Sequence, residues 1–301
     1  MVIRTEELSF NFGNQQVVKS LSLNVPSNSI YGFLGPNGAG KTTTIKMLLN
    51  LLKTQYGSIY IFEQELNKNR VQILSQIGSL IEQPAIYSHL TGKENLLNRA
   101  MLVQVAKNRV DDILKLVQLD HAADKKAGKY SLGMKQRLGI GLALLADPKL
   151  LILDEPTNGL DPNGIIEMRE LLIDLVRNHD KTVFVSSHLL SEVEKMATHV
   201  GIINHGELLF QGSITELRDV SKPLIHIETE DNVAAANFLM KQNIIPVEVK
   251  DEGILAPYIS REDMGRVNSL LTGNGYQVYS ICKQQKDLEK LFLDITKKAQ
   301  A

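Results

Sequence analysis

The spacing of apolar residues changes along this 301-residue chain, and each change predicts an element. Residues 2–10 and 16–25 alternate and then run apolar, with Asn11-Phe12-Gly13-Asn14 between them, which predicts a hairpin turning at Gly and Asn. Residues 29–34 read as a short buried strand, and residues 44–52 as a helix. Further short strands are expected at 57–62 and 77–81, the second fully buried. From Thr91 to Leu119 the period is helical. It puts Leu96, Leu97, Ala100 and Met101 on one face, and Val110, Ile113, Leu114 and Val117 on another. Ser131 caps a helix running to Ala146 with a stripe of Leu138, Leu142 and Leu145. Residues 150–153 form a continuous apolar run, as in a central parallel strand. A helix at 164–178, a buried strand at 182–187, a helix at 189–197 and strands at 200–203 and 207–210 follow. Strands alternating with helices predict a doubly wound α/β domain. Its ligands belong at the carboxyl ends of the strands, where Gly35–Thr42, Glu82, Asp154, Glu155 and His188 fall.

Composition shifts near Asp219-Val220-Ser221-Lys222-Pro223, dividing the chain into residues 1–218 and 222–301. The second part reads as strand 224–229, helix 232–243, strand 246–250, strand 254–260, helix 262–272, strand 276–283 and helix 286–299. That βαββαβ order predicts a small α+β, ferredoxin-like domain. It contains no catalytic constellation: its His226 and Cys282 lie far apart in sequence.

Composition narrows the function classes. Apolar residues make up 43% of the chain, enough for a core, and the net charge of −1 gives no reason to expect a nucleic-acid partner. One cysteine cannot form an internal disulfide, which fits a reducing compartment. The longest apolar run, Leu138 to Ala146, is too short to span a bilayer. The chain is expected to be soluble, with any membrane part supplied by another chain.

The chemistry concentrates at Gly35-Pro36-Asn37-Gly38-Ala39-Gly40-Lys41-Thr42, followed by Thr43, a full G-x-x-x-x-G-K-[ST] phosphate loop between a strand and a helix. The pattern arises by chance in roughly one chain in a hundred of this length. Glycines let backbone N–H groups approach phosphate oxygens, and the helix N-terminus adds partial positive charge. Lys41 would reach the β- and γ-phosphates, and the Thr42 hydroxyl would ligate Mg²⁺. The strand at 150–153 delivers two adjacent carboxylates. Asp154 can hold Mg²⁺ directly or through water, and Glu155 can act as general base on the attacking water. His188, at the end of the next strand, either caps the helix after it or hydrogen-bonds a γ-phosphate; beside Asp154 and Glu155 the second role prevails. Ser131 and the Gly133 N–H make a second anion site at a helix N-terminus, 90 residues beyond Lys41. One chain would not bring both sites to one phosphate, but a second copy could. Local sequence leaves Phe12 as a half-buried turn aromatic or an adenine-stacking one.

Over roughly residues 1–215 the chain resembles the nucleotide-binding subunits of ATP-binding cassette (ABC) transporters. The phosphate loop, the strand ending in Asp154-Glu155, the Asn158–Asp161 turn and His188 match that family in order and spacing. The resemblance implies a P-loop ABC-ATPase domain with an antiparallel β subdomain and a helical insertion at about residues 90–145. It implies ATP and Mg²⁺ as cofactors, Phe12 stacking on adenine, and Asp161 coupling two sites across a dimer. The implied partners are a second copy, in an ATP sandwich, and polytopic permease subunits, with the chain cytoplasmic and peripheral at the inner face of the cell membrane. ATP hydrolysis would then power export. Two departures matter. The family signature Leu-Ser-Gly-Gly-Gln is replaced by Tyr130-Ser131-Leu132-Gly133-Met134, which keeps the serine and the second glycine. The continuation Lys135-Gln136-Arg137-Leu138-Gly139 resembles the bacterial exporters that confer resistance or self-immunity to bacitracin and lantibiotics. That suggests a peptide antibiotic as substrate. The family glutamine that touches Mg²⁺ and relays to the membrane partner aligns with Glu82 rather than Gln83, counting back from Leu90-Thr91. A carboxylate there binds Mg²⁺ more strongly than an amide and repels the γ-phosphate more when metal is absent. The alternatives are a soluble cassette ATPase acting on ribosomes or DNA, and a phosphate-loop kinase.

Overall fold

Alternation near the N-terminus builds β1 (Ile3–Phe12), β2 (Gln15–Leu21) and β3 (Asn24–Val25). In the computed structural model, which describes residues 1–220, 224–244, 246, 248–258 and 260–284, β1 and β2 pair around the two-residue turn Gly13-Asn14. Phe12 is therefore the last residue of a strand, opposite Gln15, rather than part of the turn. The apolar run 30–34 forms β4 (Ile30–Leu34), buried at every position. It feeds the phosphate loop, from which α1 (Lys41–Leu48) leaves. The helix starts at Lys41, three residues before the predicted Thr44, because the turn of the loop is completed at Gly40 with φ 109°. It stops short of Leu52 because Asn50 takes a left-handed φ of 54°. β5 (Tyr56–Ile61) and β6 (Gln64–Glu65) complete an antiparallel sheet of order β2-β1-β5-β6, with β3 also on β1.

After α2 (Arg70–Leu74) comes β7 (Ile77–Leu80). It was expected to be fully buried, but it is the edge strand of its sheet, and Ser79 is exposed. Then α3 (Gly92–Leu102), α4 (Asn108–Leu116) and α5 (Leu132–Leu144) form a helical insertion. Thr91 and Glu94 close a capping box on α3. Leu96 and Ala100 are buried, but Met101 is 65% exposed and falls outside the predicted stripe. Val110, Ile113, Leu114 and Val117 are all buried, as their spacing predicts.

The chain returns through β8 (Leu150–Leu153), α6 (Pro162–Asn178), β9 (Thr182–Ser187), α7 (Leu190–Val193), β10 (His199–Asn204) and β11 (Glu207–Ser213). Together with β4 and β7 these strands make a six-stranded sheet of order β11-β10-β4-β9-β8-β7. Its five strands from β10 to β7 run parallel, and β11 is antiparallel to β10. Parallel strands buried on both faces need continuous apolar sequence, and β8 and β9 are buried throughout. The parallel direction gathers the ends of β4, β8 and β9 at one edge, which positions the site.

The chain divides into two compact units, Met1–Ile214 and one beginning at Thr215, at the start of α8 (Ile214–Val220). The second unit contains β12 (Leu224–Thr229), α9 (Asn232–Lys241), β13 (Glu248–Lys250), β14 (Gly253–Pro257), α10 (Arg261–Gly273) and β15 (Val278–Gln284). Its antiparallel order β13-β14-β12-β15 is the ferredoxin-like arrangement expected from βαββαβ. Ile225, Ile227, Ile254, Leu239 and Leu271 form its core. The predicted helix 286–299 lies outside the described residues.

Candidate active site

Three strand ends and one helix start converge. The phosphate loop rises from β4 and turns into α1 through Gly40, which offers no side-chain cap, and the first turn of α1 has no acidic residue. Its N–H groups are left for an anion. A Cβ at Gly35 would lie 2.4 Å from the Ile203 carbonyl oxygen, and one at Gly40 would lie 2.8 Å from that of Val17. The loop is thus pressed against its neighbours where only glycine fits. Gly38, Gly40, Lys41, Thr42, Thr43 and Glu155 are among the residues that line a cavity of about 210 Å³.

Lys41 is 6% exposed. Its Nζ donates to the carbonyls of Gly35 at 2.7 Å and Pro36 at 3.2 Å, and stands 3.2 Å from Glu155 Oε1. The other oxygen of Glu155, Oε2, is 2.8 Å from His188 Nδ1. Glu155 thus bridges the loop lysine and the histidine, from a backbone held at φ 47°. Thr42 Oγ1 donates to Asp154 Oδ2 at 2.8 Å. Asp154, 5% exposed, accepts on Oδ1 from Ser186 Oγ at 2.6 Å. Ser186 Oγ also accepts from the Glu155 N–H at 2.9 Å. A hydroxyl and a carboxylate, both hard oxygen donors, beside a lysine and a free helix N-terminus fit a nucleoside triphosphate carrying Mg²⁺.

Residues 18–158 match the ABC transporter family. The chain is 45% identical over 297 residues to the bacitracin transport ATP-binding protein BcrA of Bacillus licheniformis, covering 98% of this chain and 97% of that protein. The chain belongs to the ABC transporter ATP-binding subunits. It is also 38% identical over 210 residues to the lantibiotic transport ATP-binding protein SrtF of Streptococcus pyogenes, covering 70% of this chain and 90% of that one. Among solved structures it is similar to cbiO1 of Clostridium perfringens, part of the ABC transporter complex cbiONQ. The TM-score there is 0.67 at 26% identity, covering 73% of this chain and 94% of that one. The cassette is therefore an ATP-binding, ATP-hydrolysing subunit of a transporter, and the ribosome, DNA and kinase readings are not favoured.

The structure brings together Gly35–Thr43, Asp154, Glu155 and His188 of the expected site residues, and leaves others apart. Ser131 N-caps α5, accepting from the Met134 N–H at 3.2 Å. Gly133 lies in the first turn of that helix, where a Cβ would approach only Leu160, and neither it nor Ser131 lines the Lys41 cavity. Asp161 N-caps α6 through the Gly164 N–H at 3.2 Å. Phe12 is 53% exposed, its ring edge-on to Phe10 at 4.9 Å, and is absent from that cavity lining. Glu82, with φ 59°, pairs with Lys46 at 3.1 Å, one helical turn below Thr42. Sequence reading passed over Ser186 and Lys46. The one available signal for Ser186 was a serine pair ending an otherwise apolar strand just before His188.

Proposed function

We propose that this cassette is the Mg²⁺-ATP-driven motor of an exporter for a peptide antibiotic of the bacitracin or lantibiotic type. It works as two copies enclosing two ATP molecules, on polytopic permease subunits at the cytoplasmic face of the membrane. The observation that carries the motor is the convergence of Lys41, Thr42, Asp154, Glu155 and His188 on one edge of the parallel sheet. The substrate class rests on the transport proteins named above. No helix among the described residues is long and apolar enough to cross a membrane, and on this reading the permease subunits are separate chains. Their docking place is a groove of about 730 Å³ between β7, α3 and α5, where Tyr87 and Leu102 are 54% and 70% exposed.

Lys41 exchanges its loop carbonyls and Glu155 for the β- and γ-phosphates, which frees the Glu155 carboxylate. Thr42 Oγ1 and Asp154 Oδ2 are the oxygens that would hold Mg²⁺, which would supply charge neutralisation at the phosphate oxygens. Glu155 then accepts a proton from the water attacking the γ-phosphorus, and His188 orients Glu155 and senses the γ-phosphate. Glu82 answers to the family glutamine, Phe12 stacks on adenine, and Asp161 links the two sites. Ser131 and Gly133 are supplied by the second copy, because in their own chain they do not line the Lys41 cavity. Glu155→Gln keeps the size and one accepting oxygen of the side chain but not the base. It should lower hydrolysis at least about 100-fold and give a dimer with Mg²⁺-ATP on size-exclusion chromatography. A monomeric variant with undiminished hydrolysis would overturn the assignment.

A further inference from the structure

We infer that Ser186, which no sequence motif singled out, is the positioning residue that makes Asp154 and Glu155 act as one unit, and that it sets the affinity of the site for the divalent cation. The inference rests on the function proposed above and deepens it.

The strand register dictates the contact. β8 and β9 run parallel with Leu153 beside Val185, so the next position along brings Asp154 beside Ser186. Ser186 is completely buried. A hydroxyl has one proton to give and lone pairs to accept with, and both functions are used here. The proton goes to Asp154 Oδ1 at 2.6 Å, and the oxygen receives the Glu155 N–H at 2.9 Å. Two consequences follow. Oδ1 is satisfied, so the carboxylate is fixed with Oδ2 turned to Thr42, 2.8 Å away. The Glu155 backbone, at φ 47° in a region that non-glycine residues rarely occupy, is tied down by the same atom. Glu155 can then span Lys41 and His188 with its two oxygens. β9 also pairs with β4 on its other side, Ser186 beside Phe33, and the Ser187 carbonyl accepts from the Gly35 N–H at 3.3 Å. One strand thus registers the phosphate loop and the carboxylate pair to each other.

Removing the hydroxyl leaves a buried carboxylate oxygen and a backbone N–H without a partner, while Lys41 and the loop glycines are untouched. Cation affinity and turnover should therefore suffer while metal-free nucleotide binding does not. The test uses the full chain as wild type, Ser186→Ala and Ser186→Thr. It titrates a fluorescent ATP analogue with EDTA, titrates Mg²⁺ at fixed nucleotide, and measures kcat and KM. The expected result for Ser186→Ala is EDTA affinity within about twofold of wild type, and Mg²⁺ half-saturation raised about tenfold or more. Its kcat should fall by a similar factor with little change in KM, and Ser186→Thr should restore both. Unchanged Mg²⁺ half-saturation in Ser186→Ala would overturn the inference, as would an equal loss of binding with and without metal. If Ser186→Ala does not fold, Ser186→Cys, a poor donor of similar size, replaces it against Ser186→Thr with the same criteria. A wild-type chain whose binding and hydrolysis ignore Mg²⁺ would instead sink the functional reading itself.

Discussion

Within the phosphate loop, each glycine answers a different demand, and the difference can be measured. Gly38 has φ 81° with no atom within 4 Å of a built Cβ, so alanine there meets backbone strain alone. Gly40 combines φ 109° with the Val17 carbonyl 2.8 Å from such a Cβ. Gly35 has no unusual φ, but its Cβ would press on the Ile203 carbonyl at 2.4 Å. Gly38→Ala should cost about 1–2 kcal/mol, the left-handed penalty. Gly40→Ala and Gly35→Ala should each cost more, because the obstructing atoms are backbone. Thermal unfolding of the three variants checks the order, and a Gly38→Ala protein less stable than Gly40→Ala would contradict it. The polar residues of the site show the same economy. Glu155 uses both oxygens, Asp154 uses both, and Ser186 uses its hydrogen and its oxygen.

Between elements, the helical insertion is pinned to the sheet by Asp147, just after α5. Asp147 Oδ1 receives Lys181 Nζ at 2.9 Å and an Arg109 guanidinium nitrogen at 2.8 Å. Arg109, on α4, also donates to the carbonyls of Leu145 at 2.7 Å and Leu144 at 3.3 Å, covering the otherwise unpaired end of α5. The Lys181 ammonium, against some loss of hydration and with Arg109 adding to it, holds the Asp147 carboxyl below its ordinary range. A depressed carboxylate stabilises the fold above its unfolded pKa of about 3.9, and that contribution disappears as pH falls through the lower folded value. Asn tolerates the left-handed backbone of Asp147, φ 53°. Asp147→Asn should therefore lose stability at pH 7, by no more than about 1 kcal/mol because the side chain is mostly exposed and screened. Unfolding curves of the two proteins should converge as the pH falls below the ordinary carboxylate range and in high salt; a pH-independent gap would refute the ion-pair account. Such ties mark the limit of what the sequence discloses. Apolar period and motif order revealed β4, β8 and β9, the Ser131 cap and the strand-end placement of Asp154, Glu155 and His188, because each depends on neighbours in sequence. Asp147 with Arg109, Ser186 with Asp154, and Lys46 with Glu82 are 38, 32 and 36 residues apart. Their meeting depends on strand register and helix placement. The exposed Ser79 was missed for a related reason: an apolar run does not say which strand will be at the edge.

At the scale of the whole molecule, the proposed sharing of the site between two copies has a numerical signature. Lys41→Ala removes the phosphate-binding charge from one wall. Gly133→Asp puts a carboxylate at the opposite wall; the position has open space, with only Leu160 near, so the chain itself should fold. Each variant alone makes dimers with two broken sites. In a mixed dimer related by a twofold axis, one composite site holds both lesions and the other holds neither. Random mixing makes half of the dimers mixed, each with one of two sites intact, so hydrolysis should return to about a quarter of wild type. If each chain instead completed its own site, every site in the mixture would carry a lesion and mixing would restore nothing. Measuring steady-state phosphate release before and after mixing decides between the two. Diluting the mixture distinguishes a true shared site from contamination, since activity that depends on association must fall as the dimer dissociates.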